Sequence, residues 1–105
     1  MKCSETIETG SAMRLRFSER MTFNDHVEMK RISRYVGSNR VARVNIDLSA
    51  LSFIDSAGLG MLLILGETLR ESGGTMVLES PQGQVARVFA ATKFLQWFSP
   101  KAPAS

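Results

Sequence analysis

Residues 12–17, AMRLRF, alternate Met13, Leu15 and Phe17 with Ala12, Arg14 and Arg16. That is the period of a strand with one face buried and the other in water. Residues 3–9 are expected to pair with it across a Gly10-Ser11 turn. From Asn24 the period lengthens: Val27, Lys30, Arg31 and Arg34 interleave in threes and fours with Ile32, Tyr35 and Val36, which predicts a helix. Thr22 or Asn24 suits its N-cap, and Asp25 suits a first turn where the helix dipole is positive. Gly37 is the expected stop.

Residues 42–48, ARVNIDL, return to the strand period with Val44, Ile46 and Leu48 on one face. Leu51, Phe53 and Ile54 read as a strand ending, and residues 57–71 as the next helix, closed by Ser72-Gly73-Gly74. A short apolar strand follows at Thr75-Met76-Val77-Leu78-Glu79. Pro81 is placed to open a third helix, whose core stripe is Val85, Val88 and Phe89 and which runs to about Ala91. Phe94 to Phe98 forms a last apolar segment, an edge strand or a packed turn. The order β-β-α-β-α-β-α, with a further β at the end, predicts an α/β sandwich on a mixed sheet.

Composition changes this picture little. The chain has 105 residues, 44% hydrophobic and 22% charged, as expected of one globular domain. Residues 1–99 are read as that domain and Pro100 to Ser105 as a flexible tail. The longest apolar run, Ala57 to Gly66, is well short of the ~18 residues of a membrane span. The start, MKCSETIETG, lacks the apolar stretch of a signal peptide. Cys3 has no partner for a bridge and no neighbour at metal-ligand spacing, which suits a reducing cytoplasm. A cytoplasmic location without membrane insertion is therefore expected.

The net charge of +3 is uneven, with Lys30, Arg31, Arg34, Arg40 and Arg43 the densest basic group. Nucleic acid would be one partner for such a patch, but it carries neither interleaved aromatics nor a recognised binding motif. A solvated helix face and loop is the expectation, with no nucleic-acid partner.

The chemistry concentrates in residues 51–60, LSFIDSAGLG, where an apolar strand ending meets Asp55-Ser56 at the mouth of a helix. Both residues are good N-caps, because their oxygens accept amides left unpaired in the first turn. A hydrolase nucleophile does not fit: one glycine of the Gly-x-Ser-x-Gly elbow is missing, and the sole histidine, His26, begins the first helix. A dinucleotide loop lacks its third glycine, and a P-loop lacks its Gly-Lys-Ser/Thr. Metal ligation has only the scattered Asp47 and Asp55 to draw on, so neither metal nor cofactor is expected. What remains is a serine that caps, or one that is modified.

Residues 46–60, IDLSALSFIDSAGLG, resemble the signature of the STAS domain, the fold of bacterial anti-sigma factor antagonists. In that family the serine after the aspartate is phosphorylated by a partner kinase, a position held here by Ser56. Asp55, Gly58, Leu59 and Gly60 also match, and the likeness extends over roughly residues 12–98. The second hydroxyl residue of the family pattern is replaced by Ala57. The resemblance implies a STAS-like fold, a mixed sheet of four to five strands packed with three to four helices. It further implies a non-enzymatic antagonist that binds an anti-sigma factor while Ser56 is unmodified and lets go once it is phosphorylated. The implied partners are an anti-sigma factor that is a serine kinase of the histidine-kinase-like ATPase fold, and a metal-dependent serine phosphatase. STAS domains also serve transport and lipid-trafficking assemblies as constitutive subunits. A small-ligand sensor using a pocket near Asp47 and Asp55 is a further alternative.

Along the helix of residues 57–71, Leu59, Leu62, Leu63, Gly66 and Leu69 share the face expected on the sheet. Met61, Ile64 and Leu65 fall partly or wholly off it, beside Thr68. Either another helix of the domain covers them, or Met61, Ile64 and Thr68 form a docking strip continuous with Ser56. The candidate partner-binding residues are thus Asp55, Ser56, Ala57, Gly58, Leu59, Gly60, Met61, Ile64 and Thr68.

Overall fold

In the computed structural model, which describes residues 1–8 and 10–93, the alternating AMRLRF segment begins strand β2 (Ala12–Met21). Its Met13, Leu15 and Phe17 are buried while Arg16 stays in water. Strand β1 (Lys2–Glu8) pairs antiparallel with it, after a turn in which Gly10 and Ser11 both take positive φ. The remaining elements are a short 3-10 turn (Phe23–Asp25) capped by Thr22, which leads into α1 (His26–Ser38) with Asp25 at its N-cap, then β3 (Arg43–Ile54), α2 (Ser56–Glu71), β4 (Thr75–Glu79) and α3 (Gly83–Thr92). The sheet order is β1-β2-β3-β4, with β3 parallel to both neighbours. A mixed four-stranded sheet with three helices is therefore the described architecture, as the sequence predicts. The segment Phe94 to Phe98 and the tail Pro100 to Ser105 lie outside the described residues.

One face of the sheet carries Met13, Leu15, Phe17, Val44, Ile46, Leu48, Met76 and Leu78 into the core. Met29, Ile32 and Val36 of α1, Leu62, Leu65 and Leu69 of α2, and Val85 and Phe89 of α3 fill it from the helix side. Removing one such side chain to alanine costs on the order of 2–5 kcal/mol. The opposite face carries Arg14, Arg16, Asn45, Asp47 and Glu79 around a buried Val77. There Arg14 pairs with Glu79 at 2.5 Å and Arg16 lies 4.0 Å from Asp47.

Strand β3 is one twelve-residue element rather than two pieces. Its buried positions run 44, 46, 48 and then 51 and 54, so the period changes from two to three. Register shifts against β2 between Arg16 and Ser18 and between Glu19 and Arg20 account for this. Such irregularities turn the local twist until residues three apart face the same side. β4 accompanies β3 only as far as Asp47. Helix α3 packs against β3 further along.

Three expectations are corrected. Gly37 does not stop the first helix but lies inside it, since α1 runs through Ser38 with Asn39 as C-cap. A Cβ on Gly37 would sit 3.3 Å from the Thr68 methyl, so close passage of α2, not termination, explains a small residue there. Pro81 precedes the helix it was expected to open, because α3 begins at Gly83 with Gln82 as N-cap. Leu65, assigned partly or wholly off the sheet-facing side of α2, is fully buried: it belongs to the buried stripe Gly58, Leu62, Leu65, Gly66 and Leu69, whereas Leu59 and Leu63, assigned to that stripe, are only half-buried. Among the described residues, no helix is long and apolar enough to cross a membrane.

Candidate functional site

The strand-to-helix corner at Asp55-Ser56 is built from its backbone outward. The Asp55 N–H donates to the Met21 carbonyl at 3.2 Å, which ties the end of β3 to the end of β2. Asp55 is extended (φ −99°, ψ −178°) and caps α2, its carboxylate accepting the Gly58 N–H at 2.7 Å. Its carbonyl accepts the Leu59 N–H at 3.0 Å, the first bond of the helix. The corner is tight. A Cβ on Gly58 would lie 2.7 Å from the Met21 carbonyl oxygen and 2.8 Å from Ile54 Cγ1, distances only glycine avoids at this point.

On the other side, Gln84 of α3 reaches the last residue of β3. Its Oε1 accepts the Ile54 N–H and its Nε2 donates to the Ile54 carbonyl, both at 2.9 Å. Beyond Asp47, where β4 no longer pairs with β3, one side-chain amide thus satisfies both backbone polar groups of Ile54. Nothing in the sequence pattern marks Gln84, since a glutamine in a first helical turn reads as surface.

The consequence falls on Ser56. Asp55 rather than Ser56 is the cap, so Ser56 becomes the first helical residue, exposed, with its hydroxyl unbonded among the described residues. The amides of Ser56 and Ala57 are likewise without partners among the described residues, at the positive end of a sixteen-residue helix. The remaining predicted residues follow along α2. Gly58 is buried, while Ala57, Leu59, Gly60 and Met61 are half-buried. Ile64 is 60% exposed. Thr68 is half-buried beside α1, its hydroxyl donating to the Ile64 carbonyl at 3.0 Å. The outer strip is therefore divided: Leu65 belongs to the core and α1 crowds Thr68, whereas Ile64 stays open with Met61 beside it.

Asp47 and Asp55 are not brought together. Seven residues of β3 lie between them, roughly 25 Å of extended chain, and each carboxylate is already engaged. Asp47 accepts the Ser49 N–H at 2.9 Å. Partial burial pushes its carboxyl up, but the Ser49 hydrogen bonds and the nearby Arg16 and Arg14 outweigh that and hold it below the usual range. His26 stacks on Phe23 with ring centroids 4.7 Å apart, its Nδ1 2.9 Å from the Phe23 carbonyl oxygen. Burial, with Glu5 and Glu28 nearby, pushes the Cys3 thiol up to about 11, which keeps it protonated and unreactive at neutral pH. Among the described residues no three His, Cys, Asp or Glu side chains gather as a metal site. In the basic group, Arg31 is bonded to Glu28 and Glu5, while Lys30, Arg34, Arg40 and Arg43 are exposed.

Comparison with known proteins bears on this corner. BtrV of Bordetella bronchiseptica, a candidate anti-sigma factor antagonist, is 39% identical over 56 residues, 53% of this chain and 48% of BtrV. The match thus spans about half the length of that curated relative. A candidate anti-sigma factor antagonist from Thermotoga maritima has the same fold, with a TM-score of 0.81 at 22% identity over 90% of this chain and 80% of that one. So does the anti-sigma factor antagonist SpoIIAA, solved unphosphorylated (TM-score 0.72, 21% identity, 85% of this chain and 82% of that one). The phosphorylated form, from Bacillus, gives 0.70 at 19% identity over 97% and 93%. A family profile, the STAS domain, matches residues 4–103. That match takes in nearly the whole chain, corner and core alike, and the protein is a member of the STAS domain family.

Proposed function

We propose that this protein is a phosphorylation-controlled anti-sigma factor antagonist, and that Ser56 is the switch. The supporting observation is the division of labour at the corner: Asp55 takes the cap, and the Ser56 hydroxyl is left exposed with no partner among the described residues. The names of the Bordetella, Thermotoga and SpoIIAA relatives, and the two phosphorylation states of SpoIIAA, support the same reading.

Unmodified, the surface of Asp55, Ser56, Ala57, Leu59 and Gly60, extended by Met61, Ile64 and Thr68, docks on an anti-sigma factor that is also a serine kinase of the histidine-kinase-like ATPase fold, while the buried Gly58 shapes the corner beneath it. In the kinase step, Ser56 Oγ attacks the γ-phosphorus of ATP. The new O–P bond replaces the bond to the β–γ bridging oxygen, ADP leaves, and the hydroxyl proton passes to a base on the kinase. The chain supplies the acceptor and is not itself an enzyme. A metal-dependent serine phosphatase reverses the step by hydrolysis. All of these partners belong to the cytoplasm.

The phosphate adds about −1.5 to −2 charges. It is housed without unfolding the domain, because the free Ser56 and Ala57 amides at a helix N-terminus favour an anion. Its effect is on the partner, which meets added bulk and charge where it needed flush contact. A loss of about 3–4 kcal/mol weakens such a complex by two to three decades.

The test is incubation with the cognate kinase and ATP, followed by mass spectrometry and calorimetric titration of the partner. One phosphate on Ser56, absent in Ser56→Ala, with at least a hundredfold weaker binding of Ser56→Asp, is the expected result. Tight binding that ignores Ser56→Asp overturns the switch and makes the surface a constitutive contact, as in a transport or lipid-trafficking subunit.

A further inference from the structure

The basic group that the sequence assigns to solvent borders a groove. Helices α1 and α2 pack side by side, and between them lies a cavity of about 220 Å³ lined by His26, Met29, Lys30, Ser33, Met61 and Ile64. A second, about 450 Å³, continues it past Lys30 and Ser33 to Arg34, Gly37 and Thr68. Together they form one channel along the interhelical seam. Met29, Met61 and Ile64 give it an apolar floor, and Lys30 and Arg34 a cationic wall. Among the described residues, no carboxylate lines either part.

Not every cation of the fold is left without a counter-charge, and the wall belongs with those that are, as do Arg40, Arg43 and Arg87 among the described residues. Arg14, Arg16, Arg31 and Arg70 each lie against a carboxylate. Lys30 and Arg34 have no such partner among the described residues and stand exposed. Ile64, at 60% exposure, is a large apolar side chain left in water at the middle of the seam. A seam with adaptable methionines in its floor and uncompensated positive charge along one edge is the complement of an amphipathic helix with an apolar stripe and an acidic flank.

We propose that the α1–α2 groove receives an acidic amphipathic helix of the partner protein, with Met29, Met61 and Ile64 seating its apolar stripe and Lys30 and Arg34 pairing with its acidic flank. The proposal rests on the docking surface of the preceding section and extends it from α2 onto α1. The charge disfavours two other occupants. A two-fold pairing of this face with a second copy brings cationic wall toward cationic wall. Residues 94–105 carry Lys101 and no Asp or Glu.

The probe is a fluorescein-labelled 18-residue helical peptide with leucine along one stripe and glutamate on the flanks, beside a twin with lysine in place of glutamate. Each is titrated into the full chain by anisotropy. The acidic peptide is expected to bind at least tenfold tighter than the lysine twin, and to weaken steeply from 50 to 300 mM salt. It should shift the NMR signals of Met29, Met61 and Ile64. The double variant Lys30→Glu/Arg34→Glu, at exposed positions and checked for an unchanged melting profile, should lose roughly tenfold for the acidic peptide and now prefer the lysine twin. Arg87→Glu on α3 is the control and should change neither. Equal binding of the two peptides, an equal effect of Arg87→Glu, or unshifted methionine signals overturns the proposal. So does concentration-dependent dimerisation abolished by Ile64→Glu, or opening of the groove only on deletion of residues 94–105, each of which names another occupant. The Ser56 switch fails separately: a groove that reads peptide charge while Ser56→Asp keeps the native partner overturns the switch alone.

Discussion

Strand β3 carries an aspartate near its middle and another just beyond its end, and the two do opposite work. Asp47 faces the polar side of the sheet, bonds back to Ser49 and lies 4.0 Å from Arg16. Its charge is spent balancing its neighbours. Asp55 spends its carboxylate on a backbone amide of α2, and in taking the cap it leaves the adjacent hydroxyl of Ser56 unengaged. Two carboxylates eight residues apart thus make one end of the strand a closed piece of sheet and the other an open corner. What separates them is the backbone each meets: a paired ladder at Asp47, and a helix start with unpaired amides at Asp55.

The largest break in that contrast comes from Gly58→Val. The added atoms meet the Met21 carbonyl and Ile54, so the start of α2 must move away from the sheet. A loss of about 3 kcal/mol is expected in urea unfolding, together with slower phosphorylation of Ser56, whose position depends on that start. Gln84→Ala comes next. It leaves the Ile54 N–H and carbonyl without the amide that satisfied them, at a cost of about 2 kcal/mol. Faster hydrogen exchange at the Ile54 amide, with the Val44 and Ile46 amides unchanged, would localise the loss to the corner.

Asp55→Ala removes a cap and should cost about 1 kcal/mol in the same unfolding experiment, with fraying confined to the first turn of α2 by amide exchange. The smallest effect is at the closed end. Asp47→Asn should cost no more than about 0.5–1 kcal/mol at neutral pH, because the pair is partly solvated. Its sign with pH is set by a carboxyl held below its usual range. The contribution is complete at neutral pH and is lost as pH falls through the folded value. The stability gap between wild type and Asp47→Asn should therefore narrow on acidification below about pH 4. A gap that instead widens in acid would show that Asp47 is not held ionised by its neighbours.

Much of the fold was legible because burial imposes a period. The alternation at Met13, Leu15 and Phe17 marks β2, and that at Val44, Ile46 and Leu48 marks the first part of β3. The three-and-four spacing around Ile32 and Val36 marks α1. Reading fails where a second element changes which side is inside. Leu59 and Leu63 look like part of the core stripe of α2 and Leu65 does not, yet Leu65 is buried and those two only half so. Leu48, Leu51 and Ile54 look too widely spaced for one strand, yet the register shifts against β2 face all three to the core. Gly37 looks like a stop, yet it is small because Thr68 passes close.

The candidate site was legible to a similar depth. The Asp55-Ser56 pair at a helix mouth and the glycines after it stand out in the sequence, since helix starts draw on few residue types. Which of the two would cap did not stand out, because either oxygen can accept the same amides; the extended backbone of Asp55 and the tie to Met21 decided it. Gln84 and the Lys30–Arg34 wall were invisible as site residues. Their roles depend on what lies across from them, Ile54 in one case and Met61 and Ile64 in the other.

The sequence by itself determined the order of the described elements, the core faces of the strands and the presence of a capped corner bearing a hydroxyl, because these follow from local periodicity and from the unpaired amides at a helix start. Only the tertiary structure decided which oxygen caps, which apolar residues of α2 stay in water, and that two cations border an apolar seam. Burial and pairing are set by neighbours distant along the chain, and no local pattern encodes them.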